Sequence, residues 1–185
     1  DEPIKIYNSF LGYLIEYRIK DCYIEFEWTS IKSRDILGWK FSGTTYFKDL
    51  TTDSTTYAAQ RKMSYNASQM QFFRNLSHQS LGDDNFSLLH GSNYCNPDKY
   101  FTVMKRENDY IIVVNNERLK SKDDFIQSFT LEYPGKPDSE VHFLTKTFRI
   151  DQFGNYSAHK SISFGGEISK KRIGDLLPLN YAPKK

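Results

Sequence analysis

Apolar and charged side chains alternate along two stretches near the start of the chain, residues 13–19 and 23–28. Successive side chains of a β-strand point to opposite faces, so this spacing predicts two strands, each with one face on a core and one in solvent. The three residues between them, Lys20, Asp21 and Cys22, are few enough for a hairpin turn. The chain is therefore expected to begin with antiparallel β-structure.

The same kind of pattern recurs along the rest of the chain. Further strands are predicted at residues 39–41, 45–47, 86–89, 100–105, 110–114, 125–133, 141–150 and 158–164. Only residues 169–177 favour a helix, because Ile173, Leu176 and Leu177 share one side before Pro178 stops the run. We predict an all-β fold, an antiparallel two-sheet sandwich or jelly roll with one short C-terminal helix; the alternative is a lipocalin-like β-barrel.

Length and charge limit the domain count and the class of partner. With 185 residues the chain fits one β domain over residues 1–179, followed by a basic tail over residues 180–185 that we expect to fray. The 25 basic and 23 acidic residues nearly cancel and are interleaved, which argues against a nucleic-acid partner. No apolar run is long enough for a membrane span. The start at Asp1, without Met or a hydrophobic leader, is interpreted as a removed signal peptide or a trimmed end.

Two cysteines and four Asn-x-Ser sequons bear on the compartment. The sequons begin at Asn66, Asn75, Asn85 and Asn155. Glycans require exposed acceptors, so we expect residues 66–87 to face water and the chain to be secreted. Secretion favours a disulfide between Cys22 and Cys95, which would stabilise the fold by about 4 kcal/mol in the loop-entropy model. Two buried thiols in a reducing compartment are the alternative.

The chain offers no recognisable set of metal ligands. The four histidines, His78, His90, His142 and His159, are scattered, without the spacing that would place two imidazoles together. The run Asp83, Asp84 and Asn85 lacks the alternating carboxylates and distal Glu of a calcium loop and is interpreted as a solvated turn. We predict no metal and no cofactor.

Catalytic signatures are also absent, and we predict that the chain is not an enzyme. It has no Gly-x-Ser-x-Gly elbow, and a disulfide would occupy both thiols. Glu25 and Glu27 share a strand face, a geometry that glycosidases use, but a half-exposed strand produces the same spacing. The triplet formed by Lys170, Lys171 and Arg172 fits the wet face of the predicted helix; a processing site or a contact for an acidic glycan is the alternative.

One segment resembles a known family. Residues 100–119 read as a strand Tyr-Phe-Thr-Val-Met-Lys, an acidic turn, and a strand Tyr-Ile-Ile-Val-Val-Asn-Asn, which resembles the corresponding hairpin of galectins. The resemblance implies a jelly-roll sandwich. The sugar-binding motifs of galectins, His-x-Asn-x-Arg and Trp-Gly-x-Glu-x-Arg, are missing, so it does not imply the family's sugar site.

Three functions remain open. The first is an extracellular recognition module that binds a protein or a glycan through an aromatic-rich surface, favoured by the 13 Tyr and 14 Phe residues. The second is a carrier with an apolar pocket inside a β-barrel. The third is a glycan hydrolase that uses Glu25 or Glu27. The ligand-binding residues and the oligomeric state are not specified by the sequence.

Overall fold

The computed structural model describes residues 2–27, 31–53, 55–83, 85–115 and 127–183. Among them β-strands predominate and helices are few, and every paired strand is antiparallel. The strands are β1 Ile4–Asn8, β2 Tyr13–Phe26, β3 Ile36–Asp49, β4 Ser87–His90, β5 Asn93–Tyr94, β6 Phe101–Lys105, β7 Asp109–Val114, β8 Gln127–Glu132, β9 Ser139–Phe143, β10 Thr147–Asp151 and β11 Ile162–Gly166. The predicted all-β class is confirmed at this level.

The helical segments are short. The α-helices are α1 Ala58–Tyr65, α2 Gln69–Ser77 and α3 Pro97–Tyr100, and the 3₁₀ turns are Ser33–Asp35, Glu167–Lys170 and Ile173–Asp175. The predicted C-terminal helix over residues 169–177 is wrong, because that region contains only 3₁₀ turns. Residues 58–65, for which no element was predicted, form α1, and α2 lies within residues 66–87, which were expected to face water. Ser68 caps α2 by accepting a hydrogen bond from the Gln71 amide at 3.1 Å.

The chain forms two compact units, Asp1–Arg61 and Lys62–Lys185. The first contains a three-stranded sheet in the order β1-β2-β3. The second contains a sheet in the order β10-β7-β6 and a sheet in the order β11-β9-β8-β4-β5. Strand pairing among the described residues thus gives separate sheets and not the single closed sheet of a lipocalin-like barrel.

In the first unit, the segments predicted as separate strands are continuous. β2 runs through residues 20–22, where a turn was expected, and it pairs with β3 from Tyr13 opposite Asp49 to Phe26 opposite Ile36. Register shifts after Ile19 and after Glu25 absorb the irregularities of this pairing. Trp28, the predicted end of this strand, lies outside the described residues.

A tight turn joins β1 to β2. The Asn8 side chain accepts a hydrogen bond from the Leu11 amide at 2.8 Å, and the Gly12 amide donates to the Asn8 carbonyl at 2.9 Å. Gly12 has a φ of +69°, and a Cβ at this position would overlap the ring of Tyr57. A glycine is therefore required there for both conformation and space.

The second unit has one core that receives side chains from both of its sheets. The Phe101 ring lies 5.4 Å from the rings of Phe129 and of Phe143, and Phe143 stacks on Phe148 at 5.7 Å. From α2, Phe73 enters the same core and stacks on Tyr156 at 4.2 Å. Most rings of this unit serve the core and are not available to a ligand.

In the second unit one predicted strand is divided in two, and one predicted hairpin is confirmed. The predicted strand over residues 141–150 is two strands, β9 and β10, separated by a turn. The hairpin predicted within residues 100–119 is formed by β6 and β7, with Phe101 opposite Val114 and Lys105 opposite Tyr110. Residues 116–119, which complete the galectin-like segment, and Phe125 lie outside the described residues.

The end of the chain is attached to α2. Arg74 donates three hydrogen bonds to backbone carbonyls, to Phe153 at 2.9 Å, Leu179 at 2.7 Å and Tyr181 at 2.6 Å. The Tyr181 ring also lies 5.7 Å from that of Tyr65. The tail predicted to fray from Asn180 is therefore docked at Tyr181, while residues 184–185 lie outside the described residues.

Candidate functional site

In the outer half of the β2–β3 hairpin, one stretch of β2 and several described residues of β3 are exposed. We call residues 18–26 of β2 and 36–44 of β3 the arm. In β2, Tyr13, Ile15 and Tyr17 are buried, whereas every residue from Arg18 to Glu25 is exposed. β1 pairs with β2 only as far as Tyr17, so among the described residues no strand pairs with either edge of the arm.

The arm exposes large apolar side chains. Ile19 is 52% exposed, Tyr23 59%, Ile24 45% and Leu37 62%. Toward the base of the sheet, Tyr7 and Tyr46 are also largely exposed and lie on the face opposite to that of Tyr13, Ile15 and Tyr17. A solvent-exposed sheet of this composition is typical of a surface that another molecule covers.

The base of the hairpin is fixed by a buried arginine. Arg61 is 6% exposed, contacts both carboxylate oxygens of Asp49 at 2.9 Å and donates to the Leu11 carbonyl at 2.9 Å. Its guanidinium carbon lies 3.9 Å from the centre of the Tyr13 ring. The hydrogen bonds from Arg61 lower the pKa of the Asp49 carboxyl. These contacts stabilise the inner half of the sheet.

The second unit contains a small cavity of about 110 Å³. Most of its wall area is apolar, and its apolar lining residues are Met70, Ile168, Leu176 and Leu177. The polar side chains that line it belong to Ser64, Ser68, Gln69, Lys171 and Asp175. The 3₁₀ turn Ile173–Asp175 is held against the end of α1, because Ser64 Oγ donates to the Asp175 carbonyl at 2.7 Å.

Lys171 is the one lysine among the lining residues of this cavity. Its Nζ donates a hydrogen bond to the Ser64 carbonyl, and the side chain is half-buried. Burial lowers the pKa of Lys171 to about 8, with a further lowering from Lys136, while Asp175 and Glu167 act in the opposite direction. Lys171 thus differs from an ordinary surface lysine, which stays fully charged at neutral pH.

The asparagines of the four sequons differ in solvent exposure. Asn85 and Asn155 are exposed, Asn66 is half-buried, and Asn75 is buried in α2 with 5% exposure. The expectation that all of residues 66–87 face water is therefore wrong at Asn75, because α2 turns this part of the stretch toward the core. A glycan on Asn75 would require the helix to leave its place, whereas Asn85 and Asn155 are accessible as they stand.

The structure gives both cysteines as free thiols, one in each unit, and the Cys22–Cys95 bridge stays a prediction. Cys22 is exposed on the arm of the first unit, and Cys95 is half-buried in the second unit. Cys95 Sγ donates to the Leu88 carbonyl at 3.4 Å, and burial raises the pKa of its thiol. Each cysteine therefore has its own local environment and its own expected reactivity.

The histidines have separate partners. His78 contacts the Arg74 carbonyl at 2.7 Å, His90 lies 3.4 Å from the Tyr100 hydroxyl, His142 contacts Ser128 Oγ at 2.8 Å, and the ring of His159 lies 4.7 Å from that of Tyr156. Within the part of the chain that the structure describes, no three metal-ligating side chains come together. Asp83 and Asn85 are exposed, and Asp84 is outside the described residues.

Glu25 and Glu27, the candidate catalytic residues of a hydrolase, do not lie in a cleft. Glu25 and Glu27 are both exposed, Glu25 on the arm and Glu27 just beyond β2. Of the basic triplet, Lys170 and Arg172 are exposed, and Lys170 pairs with Glu167 at 2.9 Å, whereas Lys171 lines the cavity. Sequence reasoning missed this difference, since three adjacent basic residues show no signal for which one is buried.

No protein-family model, no curated protein and no solved structure matches this chain. Among the residues that the structure describes, no helix is both long and apolar enough to cross a membrane.

Proposed function

We propose that this chain is an extracellular recognition module that binds a protein partner through the arm. The observation that supports the proposal is the exposure of the arm from Arg18 to Glu25 together with its apolar content. A two-stranded hairpin by itself is marginally stable in water, and its stability rises when a third strand or a packed surface covers it. The arm offers both an open edge and an apolar face to such a partner.

A protein fits the arm better than a glycan does. The unpaired backbone groups along the edge of β2 beyond Tyr17 can accept an added strand, which supplies the matching N–H and C=O groups. Ile19, Ile24 and Leu37 are aliphatic and suit a protein surface, whereas sugar sites depend on polar groups placed in a concave pocket. Tyr23 adds a large ring of the type enriched in protein interfaces.

The second unit is proposed as the stable frame of this module. Contacts between Phe101 of β6 and Phe129 of β8 join its two sheets through one core, which supports a two-sheet sandwich as the architecture proposed for this unit. The exposed sequons at Asn85 and Asn155 support an extracellular location, since both could carry a glycan without disturbing the core.

The test is affinity capture with the full chain as bait and secreted proteins of the source cells as prey. We compare the wild type with a double variant of the arm, Ile19→Lys with Ile24→Lys. Charges on an edge strand prevent strand addition, so proteins retained by the wild type should fall at least tenfold with this variant.

The matched control is Leu144→Lys with Met104→Lys. These side chains are 51% and 45% exposed in the second unit, close to the 52% and 45% of Ile19 and Ile24. The control should retain the same proteins as the wild type. The proposal is wrong if the wild type retains nothing above background, if both variants lose the same proteins, or if removing glycans from the prey abolishes retention.

A further inference from the structure

The Lys171 cavity combines features that the recognition proposal does not use. One amine lies on a wall that is otherwise mainly apolar, formed in part by Met70, Ile168 and Leu177. The Lys171 side chain reaches back to the Ser64 carbonyl, which fixes the position of its nitrogen. Lys171 takes part in none of the ion pairs between described residues, whereas its neighbour Lys170 pairs with Glu167.

The amine can lose its proton at neutral pH. With its pKa lowered to about 8, roughly a tenth of the Lys171 side chains are neutral at pH 7, against less than about a thousandth for an ordinary lysine. The charged groups that act on it are Asp175 and Glu167, which favour the ammonium form, and Lys136, which opposes it. A neutral amine is the nucleophilic form of lysine.

We propose that Lys171 and its cavity form a covalent binding site for a short aliphatic aldehyde, held as a Schiff base. The neutral nitrogen adds to the carbonyl carbon, and one of its two protons passes to the carbonyl oxygen. The resulting carbinolamine breaks its C–O bond, the hydroxyl group leaves as water together with the second amine proton, and the nitrogen lone pair forms the C=N bond of the imine. No oxidant or reductant takes part, and hydrolysis reverses the bond.

The volume and the lining residues of the cavity limit the size and the charge of the ligand. A volume of about 110 Å³ is well below that of sites for drug-sized ligands, roughly 300–1,000 Å³. An unbranched chain of about four carbon atoms fits this space. A neutral aliphatic aldehyde suits the apolar part of the wall formed by Met70, Ile168 and Leu177.

The test is reductive trapping on the full chain. The protein is incubated at pH 7 with butanal and cyanoborohydride, and the modified lysines are mapped by mass spectrometry over time. Lys171 should be alkylated at least tenfold faster than Lys170, the adjacent and exposed lysine. Equal rates at the two positions would overturn the proposal.

A larger aldehyde tests whether the cavity, and not only the reactivity of the amine, causes the preference for Lys171. Naphthaldehyde is too large for the cavity, so its preference for Lys171 over Lys170 should fall to about one. If naphthaldehyde shows the same preference as butanal, Lys171 is merely a reactive amine and the proposed ligand site is wrong. This comparison uses the wild type and does not depend on any variant folding.

Two matched tryptophan variants locate the ligand. Leu176 and Leu179 are both partly exposed, at 41% and 47%, but only Leu176 lines the cavity. Leu176→Trp should block the opening and reduce butanal trapping at Lys171 at least fivefold, while Leu179→Trp should leave it unchanged. Unchanged trapping in a folded Leu176→Trp protein would contradict the site.

Discussion

The two compact units use their apolar side chains in opposite ways. The first unit, Asp1–Arg61, buries Leu11, Tyr13, Ile15 and Tyr17 and exposes most of the remaining large side chains, with Tyr7 at 71% and Ile31 at 88%. The second unit, Lys62–Lys185, buries a continuous aromatic and aliphatic core supplied by two sheets and α2. The second unit therefore gains its stability from a buried core, whereas the first leaves apolar surface exposed, as the proposed recognition role requires.

The polar contacts follow the same division. The first unit relies on one buried cation, Arg61, for the base of its sheet. In the second unit Arg74 attaches the C-terminal segment, but the core itself is apolar and depends on packing. An apolar core is insensitive to pH, whereas an ion pair with a titrating carboxylate is not.

The largest expected effect is on stability. Phe73→Ala in the second unit should lower the free energy of unfolding by about 3–5 kcal/mol, because the ring is fully buried against Tyr156, Phe148 and Phe164. Tyr46→Ala in the first unit should change it by about 0.5 kcal/mol or less, because that ring is 65% exposed. Urea unfolding measures both. A large loss with Tyr46→Ala would contradict the division.

An intermediate effect concerns the ion pair of the first unit. Asp49→Asn should destabilise the β1-β2-β3 sheet by about 1–3 kcal/mol at pH 7, because buried Arg61 loses its charged partner. Asp109→Asn in the second unit removes only a long pair, 3.8 Å, to exposed Arg149 and should have little effect. Amide hydrogen exchange of β2 and β7 distinguishes the two. Equal effects would remove the special role of Arg61.

The same pair gives the first unit a pH dependence. The pKa of Asp49 is lower in the folded chain than its ordinary value near 4, so its stabilising contribution is complete above that ordinary value. The contribution is lost as the pH falls through the folded pKa. Protection of β2 amides should therefore decrease below about pH 4 in the wild type and decrease less in Asp49→Asn. Identical pH profiles would exclude Asp49 as the cause.

The smallest effect is a difference in thiol reactivity. Without prior reduction both cysteines should react with a thiol reagent, Cys22 severalfold faster, because it is exposed while burial raises the pKa of Cys95. Timed alkylation with peptide mapping measures the two rates. If neither thiol reacts until a reductant is added, the bridge predicted from the sequence exists and the free thiols of the structure are wrong.

Strand periodicity predicted most of the β-structure but not its continuity. Two predicted strands are observed as β7 and β8. In β8, Gln127–Glu132, every second residue is buried. In β7, Asp109–Val114, this alternation is seen only toward the end of the strand. Residues 20–22 contain no apolar pair and read as a turn, yet they continue β2 because a register shift after Ile19 accommodates them. Pairing with a distant strand outweighed the local signal.

The helices were missed for a related reason. Residues 66–77 are rich in Asn, Ser and Gln, which is typical of a loop, but Phe72, Phe73 and Leu76 form an apolar side that only becomes evident when the core is present. Ser68 at the N-cap was the available signal. Because isolated helices of this length are marginal, packing against the second unit's core stabilises α2.

The sequence by itself determined the antiparallel β class, because alternation of side chains is a local property of each strand. Only the tertiary structure decided which of two chemically identical residues is buried: Asn75 but not Asn85, and Lys171 more than Lys170. Burial depends on groups far away along the chain. The carbonyl that receives the Lys171 amine belongs to Ser64, which lies 107 residues earlier, and no local pattern carries that information.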